Sequence, residues 1–294
     1  MTALLEAFLT RFPVPFIVGA PRSGTTLLRM MLDTHPEMAI PPETGFLPRV
    51  LRRNRLPWFS RSTLTQMIVG SEAWRDFHLD EAELARCLEK LDPFNVSDGL
   101  RGFYQLYAQR FGKSRWGDKT PNYGLIMRGI RRLLPESRCI HLIRDGRDVA
   151  CSVRDLWFAP GRDYRLLGQD WARRVECIRR QNRQGAYLEV RLEDLVLNPR
   201  KVLQEVCTFI ELEFDPVMLE YPAHSAERLQ EHEGRSRANG RCLITKAERM
   251  DQQRRTTQAL DPTRIGSWKS HMNQEAHDRF LEGGGHLLRE LGYL

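Results

Sequence analysis

The sequence predicts an α/β fold, a parallel sheet of about five strands flanked by helices, with helical insertions that form a lid. Two observations carry that expectation. Short apolar, β-branched runs are followed three times by a turn and a stretch of helical period. A long helix-like excursion then separates the first of these units from the second.

The first strand is Val14 to Val18, VPFIV, bounded by Pro13 and Gly19; the chain turns through Gly19 to Gly24 and continues as the helical LLRMMLDTH. The second unit is the strand RCIHLI, Arg138 to Ile143, followed by RDGRDVACSVRDLW, in which Val149, Val153 and Leu156 recur at helical spacing. The third is Ala186 to Val190, with NPRKVLQEVCTFI as its helix, Asn198 at the cap and Pro199 at the first helical position. From about Glu43 to Leu134 the chain reads as mostly helical, with Thr120 and Pro121 opening one helix whose apolar face carries Leu125, Ile126, Ile130, Leu133 and Leu134. The charge-dense Ser225 to Thr257, including EHEGRSRANGR, reads as a mobile segment or lid. The last helix, Asn273 to Leu294, is expected to break at Gly283, Gly284 and Gly285, each weakening a helix by about 1 kcal/mol relative to alanine. No internal repeat is visible, and residues 1–294 read as a single domain.

Composition excludes little but points one way. With 45 Lys and Arg against 38 Asp and Glu the net charge is +7, spread along the chain, so an anionic ligand is favoured without being specified. The apolar start, MTALLEAFLT, is interrupted by Glu6 and followed by Arg11, which argues for a short amphipathic helix rather than a signal peptide. Uncharged runs such as Phe12 to Pro21 reach about half the length of a membrane span, once Phe12 itself is counted. Six cysteines without C-x-x-C pairing, two of them (Cys139 and Cys151) inside apolar patterns, indicate buried free thiols in a reducing, cytoplasmic setting rather than disulfides or a metal site.

Gly19-Ala-Pro-Arg-Ser-Gly-Thr-Thr26 lies between a strand and a helix, the setting in which loop N–H groups and a helix N-terminus converge on an anion in a P-loop-type fold. An ATP-binding loop carries lysine before its final Ser or Thr, whereas Thr25 stands there in this chain and the cation is Arg22. Together with the lack of an obvious strand ending in a magnesium-binding aspartate, this disfavours the alternative of an ATP-dependent P-loop kinase. A nucleic-acid-binding protein is disfavoured too, since no aromatic-basic or helix-turn-helix pattern is present.

FIVGAPRSGTTLLRMMLDTHP resembles the 5′-phosphosulfate-binding loop of the sulfotransferases, in the form found in bacterial members and in tyrosylprotein sulfotransferases. IHLIRDGRDVACSVRD is similar to that family's second signature, and TRIGSWKSHM to its third nucleotide-contacting region. The resemblance implies a donor, 3′-phosphoadenosine 5′-phosphosulfate, no metal, and transfer of a sulfuryl group to a hydroxyl or amine. It implies that Arg22, Ser23, Gly24, Thr25 and Thr26 hold the phosphosulfate, that Arg144 and Ser152 hold the 3′-phosphate, and that Arg264 and Lys269 are further phosphate partners. Lys119, in WGDKTP, corresponds to a lysine on the transferring group, and Arg22 is placed beside the leaving oxygen. Phenol and steroid sulfotransferases place a histidine base two residues after that lysine, where this chain has Pro121. Similarity of PPETGFLPRV to the tyrosylprotein and glycan branches makes Glu43 the base instead, ahead of His35, which closes the first helix, and His141, which reads as a core histidine. A tyrosine common near the adenine is Leu192 here, which transfers adenine recognition to apolar contact or another residue. Trp58, Phe59, Trp157, Phe158 and Trp171 are available to line an acceptor pocket, but core packing accounts for each equally well. The acceptor is left open among small molecules, lipids, glycans and peptides.

Overall fold

The computed structural model describes residues 12–54, 59–236 and 242–294. The amphipathic helix expected at the start of the chain lies outside them. Strand β1 (Val14–Gly19) leads through a short loop into α1 (Thr25–Thr34), and β2 (Met38–Ala39) follows. The helical excursion contributes α2 (Leu47–Arg53), α3 (Arg61–Val69), α4 (Glu81–Glu89) and α5 (Val96–Gln109), then ends in two short strands, β3 (Arg115–Trp116) and β4 (Asp118–Lys119). After α6 (Met127–Leu133) come β5 (Ser137–Ile143), α7 (Gly146–Val153), α8 (Tyr164–Asn182) and β6 (Tyr187–Arg191). The remainder is α9 (Leu192–Leu197), α10 (Pro199–Phe209), α11 (Tyr221–Arg228), the pair β7 (Arg235–Ser236) and β8 (Cys242–Ile244), α12 (Lys246–Gln253), α13 (Trp268–His271) and α14 (Gln274–Glu290).

The main sheet has four parallel strands in the order β4-β1-β5-β6, against an expectation of about five. The shortfall has a local cause. Arg115 and Trp116 pair with Met38 and Ala39, while Asp118 and Lys119, after a single glycine, pair with Phe16 and Ile17. One five-residue stretch therefore serves two sheets, and Gly117 allows the switch because a Cβ there would sit 2.8 Å from the Pro15 ring and 2.9 Å from the Pro15 carbonyl oxygen. Alternation along β1 divides the core as a sheet covered on both faces requires. Val14, Phe16 and Val18 pack with α5, α6 and Ile178, whereas Ile17 packs with Leu28, Leu203 and Val206 from α1 and α10.

Three expectations are corrected by the packing. Thr120 does not cap a helix with its side chain, and Pro121 opens a 3₁₀ turn, Pro121–Ile126, ahead of α6. Asn198 and Pro199 take the cap and first helical positions of α10 as expected, although the Asn198 side chain makes no capping hydrogen bond. The charge-dense segment forms α11, α12 and a β-pair, pinned by buried ion pairs of Arg228 with Asp33 and of Arg249 with Asp76. Helix α14 runs unbroken through its three glycines, which are buried where it crosses α8; a Cβ on Gly283 would fall 2.2 Å from the Arg165 carbonyl oxygen. Close approach of two backbones explains glycine there better than a break does.

All six cysteines are free; Cys87, Cys139 and Cys207 are buried, but Cys151 is only half-buried and Cys242 is exposed. Among the described residues no helix is long and apolar enough to cross a membrane.

Candidate active site

The loops that follow β1, β4, β5 and β6 all leave the carboxyl edge of the parallel sheet, where open α/β sheets bind ligands. Gly24, at φ 93°, is the residue before α1, and Arg22 also adopts a left-handed conformation at φ 67°. For a non-glycine residue this costs of the order of 1 kcal/mol or more, and such strain gathers at functional loops. Two further features fit an anion. No side chain caps α1, so its first N–H groups have no such partner, and the buried Ser23 hydroxyl has no hydrogen-bond partner among the described residues.

At one end of this loop stand Glu43 and Lys119. Lys119 is 3% exposed; its Nζ donates to Glu43 Oε1 at 2.6 Å and to Thr26 Oγ1 at 3.3 Å. Lys119 thus lies on an edge strand rather than within the expected helical stretch. Glu43 is 38% exposed, and its carbonyl accepts from Arg235 Nη2 at 3.3 Å. Burial alone raises the Glu43 carboxyl, but the charges of Lys119 and Arg235 and the Lys119 hydrogen bond carry it below its ordinary value. Burial lowers the Lys119 ammonium, the Glu43 carboxylate opposing.

At the other end is a group of arginines. Arg22 Nε donates to Ser152 Oγ at 3.1 Å and its Nη1 to the Gln252 carbonyl at 3.0 Å, which groups it with Ser152 and α12 rather than with Lys119. Arg144 Nη1 donates to the Arg22 carbonyl at 3.3 Å, and its Nη2 lies 3.5 Å from Asp148 Oδ2. Burial, then the charges of Arg255 and Arg144, lower the Arg22 guanidinium, and burial with Arg264, Arg144 and Arg254 does the same to Arg255. Cations held this close, with Asp148 on Arg144 and Asp251 near Arg255 as partial counter-charges, suit a ligand carrying several negative charges.

Sequence reasoning missed two participants, Arg255 and Asp148, and left the place of Leu192 open. Arg255 is indistinguishable in the sequence from the other basic residues of its charge-dense stretch. Asp148 brackets the late segment, accepting from Gly266 N at 3.0 Å, Ser267 Oγ at 2.9 Å and Trp268 N at 2.8 Å, which brings Arg264 toward Arg144 and Arg255. Leu192 lies on the loop itself, with Cδ1 2.5 Å from where a Gly24 Cβ would stand, so Gly24 is needed for clearance as well as for its φ. Lys269 is exposed, its Nζ 5.9 Å from the Trp268 ring centroid.

Other candidates fall away from the cleft or outside the described residues. His141 is buried on β5 with Nδ1 2.7 Å from Tyr187 OH, and burial pushes it down to about 3. His35 ends α1, its Nε2 bonded to the Glu213 carbonyl. Trp171 is core, packed on Phe280 and Gly146. Trp157 is 63% exposed with Phe158 edge-on beside it, and Trp58 lies outside the described residues.

Comparison with known proteins returns one consistent family. The profile described as "Sulfotransferase family" matches residues 13–216. Protein-tyrosine sulfotransferase 1 of Danio rerio is 31% identical over 216 residues, 71% of this chain and 56% of that protein, so the chain spans about half the length of such curated relatives. The sulfotransferase domain of the Synechococcus PCC 7002 olefin synthase superposes with a TM-score of 0.60 at 26% identity, covering 91% of this chain and 93% of that one. The sulfotransferase domain from the curacin biosynthetic pathway superposes at 0.55 with 23% identity, covering 92% and 97% respectively.

Proposed function

Because the chain belongs to the sulfotransferase family, we propose that it transfers a sulfuryl group from 3′-phosphoadenosine 5′-phosphosulfate to an acceptor hydroxyl or amine. The observation that carries this reading is one loop with an acid–base pair at one end and an arginine group at the other: Glu43 and Lys119 against Arg22, Arg144, Ser152, Arg255 and Arg264. When bound, the donor supplies a sulfuryl group already activated by its anhydride bond to phosphate. The N–H groups from Ser23 to Thr26, with the Ser23 hydroxyl, take the 5′ end, and the arginine group takes the 3′-phosphate, with Lys269 at its rim. Lys119 neutralises charge as the bond from sulfur to the leaving oxygen breaks, a position where one preorganised cation is worth about 3 kcal/mol. Glu43 accepts the acceptor's proton as the new sulfur–oxygen or sulfur–nitrogen bond forms. Its depressed carboxyl keeps it ionised, and so available, at neutral pH.

Leu192 offers the adenine an apolar surface next to the loop. The names of the relatives favour a phenolic hydroxyl as acceptor. Two measurements test the reading. Calorimetry is expected to find 3′-phosphoadenosine 5′-phosphate bound more tightly than AMP by on the order of 2–5 kcal/mol, since AMP leaves the half-buried Arg22 and Arg144 without the phosphate. Transfer from radiolabelled donor should persist in excess EDTA, with ATP inert; magnesium-dependent phosphorylation instead would overturn it.

A further inference from the structure

Thr44 follows Glu43 and is fully buried, as is its partner Asp118, which precedes Lys119. Three bonds stitch these two short segments together at successive positions. Lys119 Nζ meets Glu43 Oε1 at 2.6 Å, Thr44 N donates to Thr120 Oγ1 at 3.1 Å, and Thr44 Oγ1 donates to Asp118 Oδ2 at 2.7 Å. Two tyrosines complete the cluster. Tyr104 OH donates to the same Asp118 oxygen at 2.8 Å, and Tyr123 OH, which accepts from Leu47 N at 3.1 Å, stands 2.8 Å from Thr44 Oγ1. Since the Thr44 proton is committed to Asp118, the Tyr123 proton points to Thr44, and the donors run in one direction toward the carboxylate.

The surroundings are apolar: Phe46, Phe103 and Trp116 are buried beside the cluster, and Tyr104 stacks on Trp116. A carboxylate buried in such a place is costly, and the aromatic packing does not require one. Burial pushes Asp118 up to about 6, against the hydrogen bonds from Thr44, Tyr104 and Thr120, and its Oδ1 has no partner among the described residues. What the carboxylate does supply is a fixed acceptor that sets the height and direction of Thr44.

We propose that Thr44, anchored on Asp118, is a positioning residue that holds the Glu43 carboxylate in place over Lys119 for transfer. This rests on the reading of Glu43 as the base. A base displaced by about 1 Å loses on the order of 10²-fold in rate, so the anchor is expected to act on kcat and to leave donor binding alone.

The experiment is a cycle of Thr44→Val, Glu43→Gln and the double variant, with Thr44→Ser as the conservative replacement. Turnover is followed with radiolabelled donor on a tyrosine-containing peptide and, without peptide, as hydrolysis of the donor; binding of 3′-phosphoadenosine 5′-phosphate is followed by calorimetry. Thr44→Val should lower kcat roughly 10²-fold with nucleotide affinity unchanged, Thr44→Ser should restore most of it, and Thr44→Val should add nothing in the Glu43→Gln background. A full further loss in that background, or wild-type turnover in Thr44→Val while Glu43→Gln is impaired, overturns the positioning role alone. Wild-type turnover in Glu43→Gln overturns the base reading and this proposal with it. Should Thr44→Val not fold, Tyr123→Phe and Tyr104→Phe each delete one hydroxyl of the same cluster, and unchanged kcat in both would count against the anchor.

Discussion

Glu43 and Lys119 each lower the cost of the other's charge in a partly enclosed cleft. Removing the carboxylate while keeping its shape separates proton transfer from binding. Glu43→Gln is expected to lower turnover by roughly 10²–10⁴-fold with little change in affinity for 3′-phosphoadenosine 5′-phosphate, measured by steady-state kinetics and calorimetry. Turnover near wild type would remove Glu43 from the reaction. Asp118 makes a second prediction at the same scale. Its carboxyl titrates near 6 in the folded protein, against about 3.9 in an unfolded chain, so the native state holds the proton more tightly. The associated stability is fully present below about pH 4 and is lost as pH rises through about 6, amounting to on the order of 3 kcal/mol. Urea titrations at pH 4.5 and 7 should show this decline in the wild type and a smaller one in Asp118→Asn; parallel curves would contradict it.

Among elements, the contact of α8 with α14 is the one the sequence most misleads about. Gly168, Gly283 and Gly284 face backbone across it, at 2.8 Å from the Phe280 carbonyl oxygen, 2.2 Å from that of Arg165 and 3.0 Å from that of Gly168 if each carried a Cβ. Gly285 differs, since its added Cβ would meet only Leu281 side-chain atoms, at 3.4 and 3.5 Å. Gly283→Ala must push the two helices apart and should destabilise by about 1–3 kcal/mol. Gly285→Ala keeps the packing and restricts the unfolded chain, which should stabilise by about 0.5–1 kcal/mol. Thermal unfolding of the two variants would show opposite shifts in Tm; equal losses would mean that helix propensity, not packing, controls this segment.

Across the whole molecule, the loop helix α1 is tied to the distant α11. Arg228 donates to both oxygens of Asp33, at 2.6 and 3.1 Å, between residues 195 apart in sequence, and both side chains are buried. Burial raises the Asp33 carboxyl, but Arg228, with the His224 bond, carries it well below the ordinary carboxylate range. Arg228→Met leaves that carboxylate buried with its main partner gone and should cost about 3–5 kcal/mol. Adding Asp33→Asn should recover a large part of the loss, as denaturant unfolding would measure; additive losses would show that the two side chains act separately.

Local order in the sequence determined what depends on neighbouring residues. The strand, glycine loop and helix at residues 14–34, the second unit at 138–153, and the residue types of the anion loop are all readable because side-chain period and backbone freedom act over a few residues. The two-residue strands β3 and β4 carry no such period, which is why Lys119 was expected in a helical stretch. Tertiary structure alone decided that Glu43 meets Lys119 across 76 positions, that Arg22 turns to Ser152 across 130, and that Arg255 and the Asp148 bracket belong to the same site. It also turned an expected break at three glycines into an unbroken helix whose Gly283 and Gly284 meet α8. Those outcomes depend on which faces and loops the parallel sheet brings to one edge, and a contact between residues far apart in the chain leaves no periodic trace in either segment.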